Sequence, residues 1–260
     1  MKTLFRSVGR PDIGGEPMPV VFNTFKANKI EFRRSEVCMI AGAPGAGKST
    51  VALALALRMQ KPTLYISADT NIHTMAMRLY SMITGVSQQE AERVIKSEPD
   101  LAKEKLSAAK HIFWSFDSNP TINDIDDELQ AFEEYWGDAP HAIIVDNLMD
   151  INMGGDEFGG MRDALKDLKY LAREANACVI VLHHTKESYP GNPCQPRSAI
   201  QGMVSQLPAL ILTLGMTTNG LMGVAAVKNR YGKADPSGES PVWLQFNGEY
   251  MYIADLEERR

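Results

Sequence analysis

The stretch Gly42-Ala43-Pro44-Gly45-Ala46-Gly47-Lys48-Ser49-Thr50 constrains the fold more than any other part of the chain. It matches the phosphate-binding pattern G-x-x-x-x-G-K-[ST] at every fixed position. The apolar run Val37-Cys38-Met39-Ile40-Ala41 leads into it, and the helix-forming run Val51-Ala52-Leu53-Ala54-Leu55-Ala56-Leu57 leads out. A strand, a glycine-rich turn and a helix in that order gather backbone N–H groups and a helix N-terminus around one point, which suits anionic phosphate. In such a loop Lys48 reaches the β- and γ-phosphates and the Ser49 hydroxyl ligates Mg²⁺. An ordinary βα turn also uses glycine, but it rarely carries Lys-Ser where the helix begins.

The 260 residues, 44% of them apolar, suffice for a large α/β core. The net charge of −5 excludes a general polycation, so any nucleic-acid contact must come from a local patch. Three cysteines, Cys38, Cys178 and Cys194, are far apart and form no C-x-x-C pair. Two of them sit in apolar runs as small core residues, which points to a reducing compartment and no zinc site. The N-terminus has cations but no apolar signal-peptide core, and no run approaches the ~20 apolar residues that cross a bilayer. The expectation is a soluble intracellular protein with no membrane partner. A short chain without accessory domains suits a phage- or plasmid-encoded protein.

Residues 1–30 are rich in turn formers and read as a loosely structured N-terminal arm, with one domain over 31–260. Strand-like runs then alternate with helix-like ones. The strands are expected at 37–41, 63–67, 112–116, 142–146, 178–182 and 209–214, and such near-continuous apolar strands suit a parallel sheet covered on both faces. Thr121 with Asp124 forms a capping box ahead of Ile122, Ile125, Leu129 and Phe132 at helical spacing. Met161, Leu165, Leu168, Leu171 and Ala175 make a second stripe. Met75, Met77 and Met82 read as core filling. Segment 87–110, opened by Ser87 and Glu90, reads as a polar helical insertion. Past 215 the runs 222–228, 242–246 and 249–253 predict antiparallel strands, with Asn247-Gly248 as a two-residue hairpin turn.

Several strand ends carry polar residues. Ile143-Ile144-Val145-Asp146 ends in a carboxylate that suits the Mg²⁺ shell of a P-loop NTPase, with a turn cap as the plainer alternative. ATP hydrolysis needs a base for the attacking water, and Asp69, just past strand 63–67, fits; it also fits a helix N-cap. His183-His184 follows strand 178–182. Neighbouring residues on a strand face opposite ways, which argues against one metal for both and favours a γ-phosphate sensor role for His184. Lys228-Asn229-Arg230 closes another strand; the cations are either solvated or enter a neighbouring subunit's site as an arginine finger.

Together these segments resemble the ATPase core of the DnaB-like replicative helicases, in the RecA-fold superfamily, from about residue 30 to 253. Leu64-Tyr65-Ile66-Ser67-Ala68-Asp69 is similar to the family's strand ending in the catalytic glutamate, here an aspartate one methylene shorter. Leu165 to Glu174, leading into Val179-Ile180-Val181-Leu182-His183-His184, resembles the family's helix and sensor strand, whose glutamine falls on His184. The histidine pair is similar to the plasmid RepA-type hexameric helicases. Lys228-Asn229-Arg230-Tyr231-Gly232 followed by Trp243 to Gly248 looks like the C-terminal motif whose lysine and arginine reach the γ-phosphate bound by the adjacent subunit.

The resemblance implies a RecA-like P-loop NTPase fold, with a mainly parallel twisted sheet flanked by helices and ending in antiparallel strands. It implies ATP and Mg²⁺ as cofactors, a homo-oligomer of the hexameric kind, and single-stranded DNA in a central channel. The channel loops are then residues 150–160, which are acidic, and 186–201, with Lys186, Arg197, Gln201 and the stacking candidate Tyr189. Two plain surface loops are the alternative. The function expected is a ring-forming DNA-dependent ATPase or helicase for replication or recombination. The alternative is a non-translocating RecA-like recombination or repair ATPase, or a regulatory factor. A nuclease activity using Asp150, Asp156 and Glu157 is a further option.

Overall fold

The computed structural model describes residues 15–153, 157–186 and 193–256. Nine strands form one sheet in the order β3-β2-β4-β5-β1-β6-β7-β8-β9. The parallel part comprises β1 (Val37–Gly42), β2 (Thr63–Ser67), β3 (Ile112–Ser115), β4 (Ala142–Asp146), β5 (Cys178–His184) and β6 (Leu210–Met216). The antiparallel strands β7 (Leu221–Asn229), β8 (Val242–Asn247) and β9 (Tyr252–Asp255) complete it. β1 lies between β5 and β6, so the glycine-rich turn leaves the middle of the sheet at its carboxyl edge. Ligands of open α/β sheets bind at that edge.

Side-chain alternation along each strand divides the core in two. Cys38 and Ile40 face one side, where α1 (Asn23–Ala27), α2 (Lys48–Met59) and α3 (Ile72–Thr84) pack. Val37, Met39 and Ala41 face the other, beneath α6 (Ile122–Trp136) and α7 (Glu157–Glu174). Helix α2 is buried on nearly every side, which explains its alternating alanines and leucines: small residues let it lie close to the central strands. Between α3 and β3, α4 (Gln88–Ser97) and α5 (Pro99–Leu106) add a small cluster of their own around Tyr80, Ala91, Val94 and Ala102. The Thr121–Asp124 capping box is formed, and Ser87 caps α4 through the Glu90 amide.

Two local expectations are corrected. Residues 15–30 are not a loose arm; residues 1–14 lie outside the described residues. Phe22 and Phe25 are buried in the α2-side core, and Asp255 on β9 accepts from the Asn23 and Thr24 amides at 2.8 and 2.9 Å. The turn formers there shape a segment that wraps the sheet instead of leaving it. The β8–β9 turn is also longer than two residues. Asn247 pairs with Tyr252, and Gly248 to Met251 form the loop, because the Asn247 side chain accepts from the Glu249 amide at 3.0 Å and Met251 takes a positive φ.

A candidate nucleotide site

The glycine-rich turn is built so that only glycine serves at two places. Gly47 has φ +83°, and a Cβ there would lie 2.5 Å from the Met222 methyl and 3.0 Å from the Phe246 ring. Gly45 has φ +77° with open space around it, leaving its backbone accessible to a ligand. The first amides of α2 lack intrahelical partners and converge on this concavity. Ala43, Pro44 and Ala46 shape the turn, the Ala46 amide donating to Ala43 at 3.1 Å. The Thr50 hydroxyl points away from it, donating to the Met251 sulfur at 3.8 Å.

Lys48 spends all three ammonium donors within the site. Nζ donates to the Gly42 and Ala43 carbonyls at 3.0 and 3.2 Å and reaches His184 Nδ1 at 3.4 Å. Burial lowers its pKa, and Asp146 and Asp69 oppose that shift. The Gly42–His184 register pairing sets the imidazole beside the lysine, while His183 faces the opposite side of the sheet. Burial, and next the Lys48 charge, lower the His184 pKa. A neutral ring accepting from a lysine is the consequence.

Asp146 is 4% exposed and lies beside Ser67 in the β2–β4 register. Its carboxylate accepts from Tyr65 Oη at 3.0 Å and from the Ser49 hydroxyl. Burial raises its pKa; the Ser49 and Tyr65 hydroxyl bonds offset that rise only in part, the Asp69 charge adds to it, and Arg78 acts weakly against it. A buried carboxylate joined to a hydroxyl is a pair of hard oxygen donors, and a dication would relieve the desolvation that raises the acid. The donor chemistry of Ser49 and Asp146 therefore fits Mg²⁺.

Asp69 is exposed on the turn after β2 and interacts electrostatically with Lys48, Asp146, Asp150 and His184, which places it at the rim of the same site. The helix-cap alternative falls to another residue: Asn71 accepts from the Thr74 amide at 2.9 Å and caps α3. Three residues near the site were not singled out from sequence as parts of it. Tyr65 touches Asp146, Arg78 bonds the Thr70 hydroxyl at 3.4 Å, and Asp150 follows the β4 edge with its pKa raised by burial. The strand register would have flagged Tyr65; nothing local marks Arg78.

His183 is fully buried and its Nε2 bonds the Gln201 carbonyl at 3.1 Å, so Nε2 carries the proton. Its Nδ1 has no hydrogen-bond partner among the described residues. Burial lowers its pKa to about 4. The unfolded chain, with the ordinary value of 6.5, binds the proton first as pH falls. Stability is therefore whole above pH 6.5 and lost on the way down to pH 4, by about 3 kcal/mol in all. Urea unfolding at pH 7 and pH 4.5 should show the parent losing more stability than His183→Gln; equal losses would refute the assignment.

The remaining sequence candidates lie apart from this site. Lys228 and Arg230 sit at the far end of β7. Lys228 pairs with Ile211, whereas Gly42 pairs with Leu214, so Arg230 stands about 15 Å back along the sheet from the phosphate loop. Lys228 Nζ donates to the Ser205 and Gln206 carbonyls at 3.1 and 2.6 Å, and burial lowers its pKa to about 8. Arg230 lies 3.6 Å from Glu36 and 3.5 Å from the Leu207 carbonyl. Lys186 and Gln201 line a cavity of about 660 Å³ with Gly159, Arg162, Ser198 and Gln206. Arg197 is exposed next to it, and the Gln201 amide is tied to the Thr185 carbonyl at 3.3 Å. Tyr189 and Asp156 lie outside the described residues. Among the described residues no cluster of three histidines, cysteines or carboxylates is placed to hold a metal, and no helix is long and apolar enough to cross a membrane.

This architecture is that of the RecA-like helicase ATPase domains. One solved ATPase domain superposes with a TM-score of 0.79 at 18% identity, over 98% of this chain and 96% of that one. A DnaB-like replicative helicase gives 0.78 at 18% identity, over 98% of this chain and 65% of that one. In sequence, residues 31–188 match the AAA domain family. The Gene 65 protein of Mycobacterium phage L5 is 33% identical over 93% of this chain and 94% of its own length. The mouse DNA repair protein RAD51 homolog 4 is 27% identical over 70% of this chain and 55% of its own. The chain belongs to the AAA domain family and is a relative of the mycobacteriophage Gene 65 proteins.

Proposed function

We propose that this protein is an ATP-hydrolysing, DNA-dependent ring motor, a homohexamer that passes single-stranded DNA through its centre during replication or recombination. The observation that carries the reading is the separation of Arg230 from its own phosphate loop. The two cations at the end of β7 stand at the wrong end of the sheet for the nucleotide bound by their own chain. In this reading they exchange their carbonyl and Glu36 partners, in a ring, for the phosphates of the next one.

In this reading ATP lies on the Gly42–Thr50 loop, and Lys48 exchanges its carbonyl partners for the β- and γ-phosphates. Ser49 and Asp146 would hold Mg²⁺, which would supply charge neutralisation to the phosphates. Asp69 orients and deprotonates the attacking water. His184, already within 3.4 Å of Lys48, senses the γ-phosphate. Its neighbour His183 is bonded to Gln201, so the sensor strand is tied to the segment lining the basic cavity. Lys186, Arg162 and Arg197 there suit a phosphodiester backbone.

The 27% identity with a RAD51 homolog favours a second reading, a recombination ATPase that binds DNA without translocating. Particle mass and symmetry with a non-hydrolysable ATP analogue and a single strand test the first; a closed six-fold ring around DNA is expected. A monomer with full ATPase activity would overturn it. Strand displacement on a forked duplex separates the two readings.

A further inference from the structure

Tyr65 carries no role in the chemistry above, yet it is one of the largest wholly buried side chains, and its hydroxyl bonds Asp146. It lies on β2 two residues before Ser67, which pairs with Asp146, so the tyrosine is the diagonal neighbour of the carboxylate on the same sheet face. Its ring packs on Trp114 at 4.7 Å, and Trp114 stacks on Phe116 at 5.8 Å, so aromatic packing holds the wholly buried ring in place. The Ala68 amide also donates to the Asp146 carbonyl at 2.9 Å, fixing the backbone from the residue that follows β2. Strand β2 and its exit thus hold both the main chain and the side chain of this residue.

The choice of donor is informative. An arginine or lysine at this point would neutralise the carboxylate and compete with a dication for it. A phenol orients the acid and leaves its charge unspent. We propose that Tyr65 is the positioning residue of the metal ligand: its immobile hydroxyl aims the Asp146 carboxylate toward Ser49 and so sets the affinity of the nucleotide complex for Mg²⁺. The inference rests on the reading of this loop as an Mg²⁺-nucleotide site.

The test is Mg²⁺ titration of the complex with a fluorescent ATP analogue, starting from chelator. In Tyr65→Phe the half-saturating Mg²⁺ concentration should rise roughly tenfold, the loss of one hydrogen bond to a charged group. Affinity for the metal-free nucleotide should stay unchanged, a split that general loosening of the fold would not produce. Equal Mg²⁺ requirements in parent and variant would overturn the positioning role alone. A parent whose nucleotide binding ignores Mg²⁺ would overturn the site reading and the inference with it. Should Tyr65→Phe not fold, 3-fluorotyrosine placed at position 65 keeps ring and hydroxyl. Its ¹⁹F resonance should move when Mg²⁺ joins the nucleotide complex, and a stationary resonance overturns the proposal.

Discussion

Arg230→Ala is expected to lower ATP turnover by roughly 10³–10⁵-fold, the scale of arginine fingers in P-loop enzymes. Nucleotide affinity should be retained, because Arg230 stands at the other end of the sheet from the phosphate loop. The side chain is well suited to reassignment on assembly: its partners in the single chain are a long 3.6 Å ion pair with Glu36, in which the arginine itself stays exposed, and a long contact to the Leu207 carbonyl. Pairs of that kind contribute about 0–1 kcal/mol and are easily exchanged for a triphosphate. Mixing makes the test sharp. Arg230→Ala subunits next to Lys48→Ala subunits should regain part of the activity, since one supplies the intact loop and the other the intact finger. Failure to complement would count against action between subunits. Lys228 adds a pH signature. Burial, helped by the nearby Arg230 and Arg197 charges, brings its pKa to about 8, so the cation is lost as pH rises through that value. kcat/KM, which reports groups of the protein before nucleotide binds, should fall above about pH 8 in the parent, and Lys228→Arg should hold its value there because a guanidinium stays charged.

Asp69→Asn is expected to reduce turnover about 10²–10⁴-fold, the range of general-base contributions. Structure gives this substitution little else to disturb. Asn71, not Asp69, caps α3, and the Ser67 hydroxyl closes the turn by donating to the Thr70 carbonyl at 2.9 Å. The unfolding midpoint and nucleotide affinity should therefore match the parent. Single-turnover hydrolysis with saturating ATP is the measurement. A rate equal to the parent's would remove Asp69 from the chemistry and leave it a rim charge.

Much of this architecture is readable locally. Near-continuous apolar runs such as Ala142 to Asp146 and Cys178 to Leu182 are recognisable because a strand covered on both faces has no polar side to display. The Thr121–Asp124 box is readable for a similar reason: its hydrogen bonds close within four residues. Asn247-Gly248 misleads because a tight turn and a longer loop use the same residues. Pairing of Asn247 with Tyr252, a matter of strand register, decides between them. The N-terminal turn formers mislead for another reason. Phe22 and Phe25 find their pocket against residues of β8, β9 and α2, far away in sequence.

The phosphate loop, its flanking strand and helix, and the opposite facing of His183 and His184 follow from short stretches of chain, because steric rules acting over a few residues govern turns, helix starts and strand alternation. Which strand ends meet is another matter. Register across β2, β4, β5 and β1 brings Tyr65, Asp146, His184 and Lys48 together, and the reversal at β7 sends Lys228 and Arg230 to the other end. Those relations depend on hydrogen-bond pairing between segments up to a hundred or more residues apart, and no local pattern encodes them.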